Sequence, residues 1–334
     1  MSYTMSYTVS AYFEKFCKGV VELESNQVSV ARSSRDFVLS NIARLSNEGE
    51  LPSVLEDYCL NFGSFARNTK IWPLDDIDMM ICYDGGYGVY DTIKKNELYY
   101  IRFADNHPFF DDLRNDDGKT LNSRKVINQL IGALSGVDRY EKAEMHRRGE
   151  AATLQLRSYT WTFDIVPCFY TKTGFYLIPD GQGNWKNTDP RIDRSRVLSV
   201  NLNHSQIAIP LIRLMKYWKK LKWEDEVSSY MFEQMVLDCL EASPLNANDP
   251  LQVRVKQVLQ YLWKEIKNPV YDPKGIQGDL NELDQETRDN LSRSALMSYL
   301  SADAAIRFER KGEIQNAIKQ WQIVFGGKFP YYDE

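Results

Sequence analysis

The residues best suited to chemistry are aspartates that stand in or beside apolar segments. Asp76 and Asp78 are separated by one residue at the start of the apolar stretch 76–83. In a strand, residues i and i+2 point to the same face, so the two carboxylates would stand side by side. Mg²⁺ would relieve their repulsion, because it binds carboxylates and keeps open positions for phosphate and water. A turn followed by a strand with a solvated edge is an equally good interpretation of this pair alone.

A third aspartate, Asp164, lies in the apolar run Phe-Asp-Ile-Val-Pro at 163–167. Taken alone, an aspartate in a strand is usually paired with an arginine. If the strand containing Asp164 is a neighbour of the strand containing Asp76 and Asp78, three carboxylates converge. Three such groups are what a two-metal site for in-line phosphoryl transfer requires.

A Gly-Ser pair, Gly63 and Ser64, precedes the first of these aspartates in the sequence. At a strand-to-helix junction, backbone N–H groups and a serine hydroxyl can bind phosphate. The pair is weak evidence alone. Asp76 follows Ser64 by twelve positions, and the combination with Asp78 and Asp164 indicates nucleotide phosphate chemistry.

The elements that must position these residues fall into two parts. Hydrophobic spacing predicts a mixed α/β part, with its sheet within residues ~50–180, and an all-helical part after ~200. The segment 85–118 is polar and aromatic, and we expect an irregular insertion there. The predicted helices are 9–23, 27–45, 121–134, 207–223, 230–241, 251–266 and 302–325, and the predicted strands are 54–62, 77–83, 152–157 and 162–169.

Composition narrows the class of protein. The chain has 334 residues, 43% of them hydrophobic, with a formal charge of −5. An acidic balance disfavours binding to long nucleic acid, which depends on Lys and Arg. The sequence contains no apolar run long enough for a membrane span and no secretory signal. Five scattered cysteines without a CxxC pair argue against a zinc site and favour a reducing cytoplasm.

The motifs together resemble the polymerase-β-type nucleotidyltransferase superfamily. Gly63, Ser64, Asp76, Asp78 and Asp164 stand at its motif positions. Within the superfamily, the chain resembles the cGAS/DncV-like nucleotidyltransferases of bacterial anti-phage signalling. The segments that carry this narrower resemblance are FGSFARNT at 62–69, PLDDID at 73–78, IPDGQGNWKNTDP at 178–190 and WQIVFG at 321–326.

The resemblance implies an α+β, polymerase-β-like fold. Residues 1–198 would form a catalytic lobe that contains the mixed sheet and a long N-terminal helix. Residues 199–334 would form a helical lobe, and the active site would lie in the cleft between the two lobes. It also implies nucleotide-binding roles in the helical lobe. Lys216 would reach the donor triphosphate, although a solvated helix face explains its basic neighbours. Ser229 would bind a phosphate oxygen and Tyr230 would stack on the donor base, while an N-cap also accounts for the serines.

The activity implied by the resemblance is template-free joining of nucleoside triphosphates. ATP, with GTP, UTP or CTP, would form a cyclic di- or trinucleotide with release of pyrophosphate. Two Mg²⁺ ions, with Mn²⁺ as an alternative, would be held by the three aspartates. The product would act on a downstream effector, and a partner protein could regulate the enzyme. The alternatives are linear oligonucleotide synthesis, AMP transfer to RNA, protein or an antibiotic, and a nucleotide-binding pseudoenzyme.

Overall fold

The computed structural model describes residues 8–93, 98–224, 226–242 and 249–332. The described residues form two units: one takes those within 25–67 and 74–192, and the other takes those within 8–24, 68–73 and 193–332. We call them the sheet unit and the helical unit. They interleave along the sequence, whereas the sequence predicted one division between residues 198 and 199.

The sheet unit contains every strand of the described residues. The sheet order is β1-β2-β7-β8-β9-β4-β3, with β6 also paired to β7 and β5 to β6. Within the described residues, β2 and β7 are the one parallel pair. The strands are β1 Leu60–Phe62, β2 Asp76–Cys82, β3 Val89–Ile93, β4 Leu98–Arg102, β5 Glu144–Arg148, β6 Ala151–Gln155, β7 Thr162–Tyr170, β8 Tyr176–Pro179 and β9 Trp185–Thr188.

Most helices belong to the helical unit, and three lie in the sheet unit: α2, α3 and α4. The long helix α2 confirms the helix predicted over 27–45. It ends just before Gly49, whose φ of +78° suits glycine. The helices are α1 Val9–Phe16, α2 Ser25–Asn47, α3 Gly63–Ala66, α4 Ser123–Ser135, α5 Pro190–Asn203, α6 Ala208–Lys222, α7 Ser229–Ala242, α8 Leu251–Glu265, α9 Gln285–Arg310 and α10 Ile314–Phe325.

The helical unit is organised around one large apolar core. α1 enters this core with Phe13, whose ring meets Trp321 edge-on at 4.8 Å between centroids. Trp218 and Trp321 are fully buried. Burial of such large rings contributes about 2–3 kcal/mol each, which explains why the first helix of the chain packs with helices that follow residue 193.

Three predicted elements are wrong. The strand predicted over 54–62 is confined to 60–62, because residues 56–58 form a single 3₁₀ turn. The segment 85–118 contains the antiparallel pair β3–β4, because Val, Tyr, Thr and Ile side chains favour strands even among polar neighbours. The helix predicted over 302–325 is two helices, since α9 ends at Arg310 and α10 begins at Ile314. Gly312 lies between them with a φ of +79°, which a continuous helix does not accept.

The prediction of a sheet-containing part and a helical part is confirmed. None of the helices in the described ranges combines the length and apolar character that crossing a membrane requires.

Candidate active site

The three aspartates lie on the paired strands β2 and β7. Asp78 is the register partner of Asp164, and Asp76 is the partner of Thr162. The alternating residues Ile77 and Phe163 are buried, whereas the aspartates are half-buried. The parallel register therefore brings Asp76, Asp78 and Asp164 to one face of the sheet, as the sequence predicted.

The donor chemistry of this acidic face fits Mg²⁺, which prefers carboxylate oxygens. As the side chains stand, no three His, Cys, Asp or Glu residues within the described ranges form a group that could hold a metal ion. Like-charged carboxylates repel one another unless a cation lies between them. The assignment of Asp76, Asp78 and Asp164 as metal ligands therefore stays a prediction.

Gly63 follows β1 directly and turns the chain beside Asp78. Its φ is +70°, and a Cβ at this position would lie 1.8 Å from Asp78 Oδ2. Phe62, the residue before it, is the antiparallel partner of Asp78. The missing side chain thus leaves a cradle between the backbone and the carboxylate. Ser64 follows in the single turn α3, where its side chain is half-buried.

Thr153 on β6 is a site residue that the sequence did not reveal. It is the register partner of Asp164, and its Oγ1 donates a hydrogen bond of 2.7 Å to Asp164 Oδ1. Thr153 is 2% exposed, so water competes little for this bond. The hydroxyl fixes the orientation of the Asp164 carboxylate.

Lys216 lies in a buried polar cluster of the helical unit. Its Nζ donates to Glu233 Oε2 and, at 3.2 Å, to Thr69 Oγ1. The Thr69 hydroxyl in turn donates to Glu233 Oε2 at 2.8 Å. Lys216 is therefore buried among polar partners, and its role toward a triphosphate stays a prediction.

Tyr230, the second residue of α7, is anchored by its hydroxyl. The oxygen lies 2.7 Å from Asp193 Oδ1 and 2.8 Å from Asp272 Oδ1. Lys274 forms an ion pair of 2.9 Å with Asp272 and stands 4.3 Å from the Tyr230 ring centroid. Burial, and then the charge of Asp193, raise the pKa of Tyr230. One ring face of Tyr230 is therefore in contact with a cation.

The two serines before Tyr230 lie in different environments. Ser228 Oγ accepts a hydrogen bond of 3.1 Å from the backbone N–H of Met231, which is the N-cap role. Ser229 is exposed as the first residue of α7. Capping thus falls to Ser228, and phosphate binding by Ser229 stays a prediction.

The amino-acid sequence is similar to the sequences of proteins that are named as cyclic nucleotide synthases. The chain is 40% identical, over 347 aligned positions that cover 99% of it and 100% of the relative, to a Bacillus cereus (strain VD146) protein named "Probable cyclic nucleotide synthase". It is 26% identical over 182 positions to the cyclic AMP-AMP-AMP synthase of Acinetobacter sp. (strain ATCC 27244 / 9458), covering 50% of each chain. No protein-family model matches the chain.

Solved structures share the fold. Escherichia coli MS115-1 CdnC with ATP superimposes with a TM-score of 0.72 at 16% identity, covering 97% of this chain and 100% of the other. The CdnC:HORMA-deltaN complex gives 0.70 at 16% identity over 96% and 97%. Vibrio cholerae DncV cyclic AMP-GMP synthase, with a linear intermediate, gives 0.66 at 12% identity over 96% of each chain. The predicted polymerase-β-like fold is confirmed.

Proposed function

This chain belongs to the cGAS/DncV-like nucleotidyltransferases, and from that premise we propose that it joins nucleoside triphosphates into a cyclic di- or trinucleotide with release of pyrophosphate. Its relatives are named cyclic nucleotide synthases. ATP is the first substrate to test, because the CdnC structure contains ATP and the Acinetobacter relative is named for three AMP units. GTP, UTP and CTP are the further candidates.

The acidic face of β2 and β7 is the observation that carries this proposal. Asp78 and Asp164 are register partners, and Asp76 lies two residues earlier on the same face. Gly63 brings the backbone against Asp78. Three carboxylates beside a glycine turn support phosphoryl transfer, because such a site can bind a cation and a triphosphate together.

Each residue has a defined task in the proposed reaction. Asp76, Asp78 and Asp164 would hold Mg²⁺ or Mn²⁺, which when bound neutralises the triphosphate and makes the attacking hydroxyl more acidic. A ribose hydroxyl oxygen bonds to the α-phosphorus, and the bond from that phosphorus to the bridging oxygen breaks to release pyrophosphate. Asp164, oriented by Thr153, accepts the proton of the hydroxyl.

The remaining predicted residues bind the donor nucleotide. Gly63 and Ser64 would contact its phosphates beside the acidic face. Lys216 would neutralise the triphosphate, Ser229 would bind a phosphate oxygen, and Tyr230 would stack on the base, which is worth about 1–3 kcal/mol. Repetition of the step and closure on the first nucleotide give the ring.

We place this activity in anti-phage signalling, where the product activates a downstream effector. A regulatory partner protein is supported by the solved complex of CdnC with HORMA-deltaN. The five free cysteines support a reducing cytoplasm as the site of action.

The test is incubation of the pure protein with four labelled nucleoside triphosphates and Mg²⁺, followed by phosphatase. A small labelled product that resists phosphatase supports ring closure. Phosphatase-sensitive oligomers would assign linear synthesis. Label found only on added RNA or protein would overturn the proposal, as would the absence of any product.

A further inference from the structure

We propose that Glu233 is a positioning residue that, together with Thr69, fixes the Lys216 ammonium for the donor triphosphate. The inference rests on the proposed function, since it deepens the role of Lys216 in that reaction. It adds two residues, on α7 and on the segment 68–73, to a task that the sequence assigned to Lys216 alone.

The charged side chains of this cluster are unusually well buried. Glu233 and Thr69 are 0% exposed, and Lys216 is 6% exposed. Removing a carboxylate and an ammonium from water is costly unless each is paired and hydrogen-bonded. Both conditions are met, because Glu233 Oε2 accepts from Lys216 Nζ and from Thr69 Oγ1.

Packing alone does not account for the charges. The neighbours of this pair on α6 and α7 include the buried apolar residues Met215, Phe232 and Met235, together with the buried polar residues Lys219 and Gln234. An apolar pair of similar volume would fill the space without desolvating two ions, and such replacements are often neutral or stabilising. The ionic pair therefore serves something other than the core.

The geometry of the Lys216–Glu233 pair indicates that its purpose is to hold the lysine ammonium in place. A lysine has a flexible stem and loses rotamer freedom when its ammonium is held. Here the Lys216 ammonium is held by two side chains of the protein itself, Glu233 and Thr69. A preorganised charge is more effective toward a developing phosphate charge than one that must be ordered during the reaction. Thr69 also follows Gly63 by six residues, so the same carboxylate anchors the chain soon after the glycine turn.

The decisive experiment uses the double variant Lys216→Met/Glu233→Leu in the full chain. Thermal unfolding, ATP affinity by calorimetry and turnover are measured. The control is Lys256→Met/Asp303→Leu, which removes a more exposed ion pair of the same unit, 3.2 Å long. We expect both variants to fold, and the first to lose turnover by about 100-fold and bind ATP more weakly. The control should keep both properties.

Retention of wild-type turnover and ATP affinity by a folded Lys216→Met/Glu233→Leu protein would overturn the inference. If that variant does not fold, Thr69→Val decides. A raised KM for ATP with a smaller change in kcat, reversed in Thr69→Ser, supports positioning, whereas an unchanged KM overturns it. A wild-type protein without any product contradicts the proposed function instead, and ATP affinity of the same variants then tests this inference separately.

Discussion

At the scale of single residues, the aspartates stood out because a carboxylate is unusual in an apolar strand, and the glycine stood out because a Gly-Ser pair precedes them. These residues are Asp76, Asp78, Asp164 and Gly63. Thr153 was not predictable, because a threonine in a strand is ordinary and its meaning depends on register. Six residues separate β6 from β7, and a loop of that length does not determine which residue faces Asp164.

Replacing Gly63 tests the cradle beside Asp78. In Gly63→Ala, the Cβ would meet Asp78 Oδ2 at 1.8 Å and the φ of +70° would be strained. We expect a stability cost of about 1–3 kcal/mol and a loss of turnover of at least about 100-fold, measured by urea unfolding and product formation. Gly49→Ala is the matched control, since Gly49 has a φ of +78° and open space around its Cα. Equal turnover in the two variants would contradict the cradle.

Thr153→Val tests the orientation of Asp164. The change keeps the shape of a side chain that is 2% exposed and removes the 2.7 Å hydrogen bond. We expect kcat to fall about 10–100-fold, as for other groups that orient a metal-ligating residue. Thr153→Ser keeps the hydroxyl and should retain most of kcat. Indistinguishable kcat values for wild type and Thr153→Val would show that the Thr153–Asp164 hydrogen bond has no role in catalysis.

At the scale of elements, hydrophobic runs predicted β2, β6 and β7 and most helices. Their pairing follows because β6 and β7 are joined by a short connection, and β2 and β7 are both strongly apolar. The pair β3–β4 escaped prediction, because its polar and aromatic composition also suits a loop. The break between α9 and α10 escaped because apolar spacing continues on both sides of Gly312.

Tyr230→Phe tests the anchoring of α7. The change removes the hydroxyl that lies 2.7 Å from Asp193 and 2.8 Å from Asp272, so two carboxylates lose a shared donor. We expect the free energy of unfolding to fall by about 1–3 kcal/mol. Tyr217→Phe is the control, because the Tyr217 ring packs edge-on against Phe16 and this packing is kept by phenylalanine. This substitution should lower the free energy of unfolding by less than about 0.5 kcal/mol. Equal losses would contradict the anchor.

At the scale of the whole molecule, the sequence predicted one sheet part and one helical part but not their interleaving. Residues 8–24 and 68–73 pack with the helical unit. Contacts distant in sequence decide this, such as Phe13 with Trp321 and Thr69 with Glu233. Apolar spacing shows that a helix has a buried face, and it does not show which partner covers that face.

Buried tyrosines in both units predict a loss of stability at alkaline pH. Burial raises the pKa of Tyr83, Tyr176, Tyr230 and Tyr261. The unfolded chain ionises its tyrosines near pH 10, where the folded chain still holds these protons. The free energy of unfolding is therefore unaffected by them below about pH 10 and falls as the pH rises further. Urea unfolding at a series of pH values below and above about pH 10 measures this free energy. A free energy of unfolding that stays constant above about pH 10 would contradict the prediction.

The proposed function requires the acidic face of β2 and β7 for synthesis of the cyclic product. The most direct measurement is mass spectrometry of the products formed from the four nucleoside triphosphates by wild type, Asp76→Asn/Asp78→Asn and Asp75→Asn. Asp75 is the matched control, since it is exposed and adjacent in sequence but outside the predicted ligand set. We predict a cyclic product from wild type and Asp75→Asn, and none from the double variant. Full product formation by a folded Asp76→Asn/Asp78→Asn protein would show that synthesis does not depend on these two carboxylates.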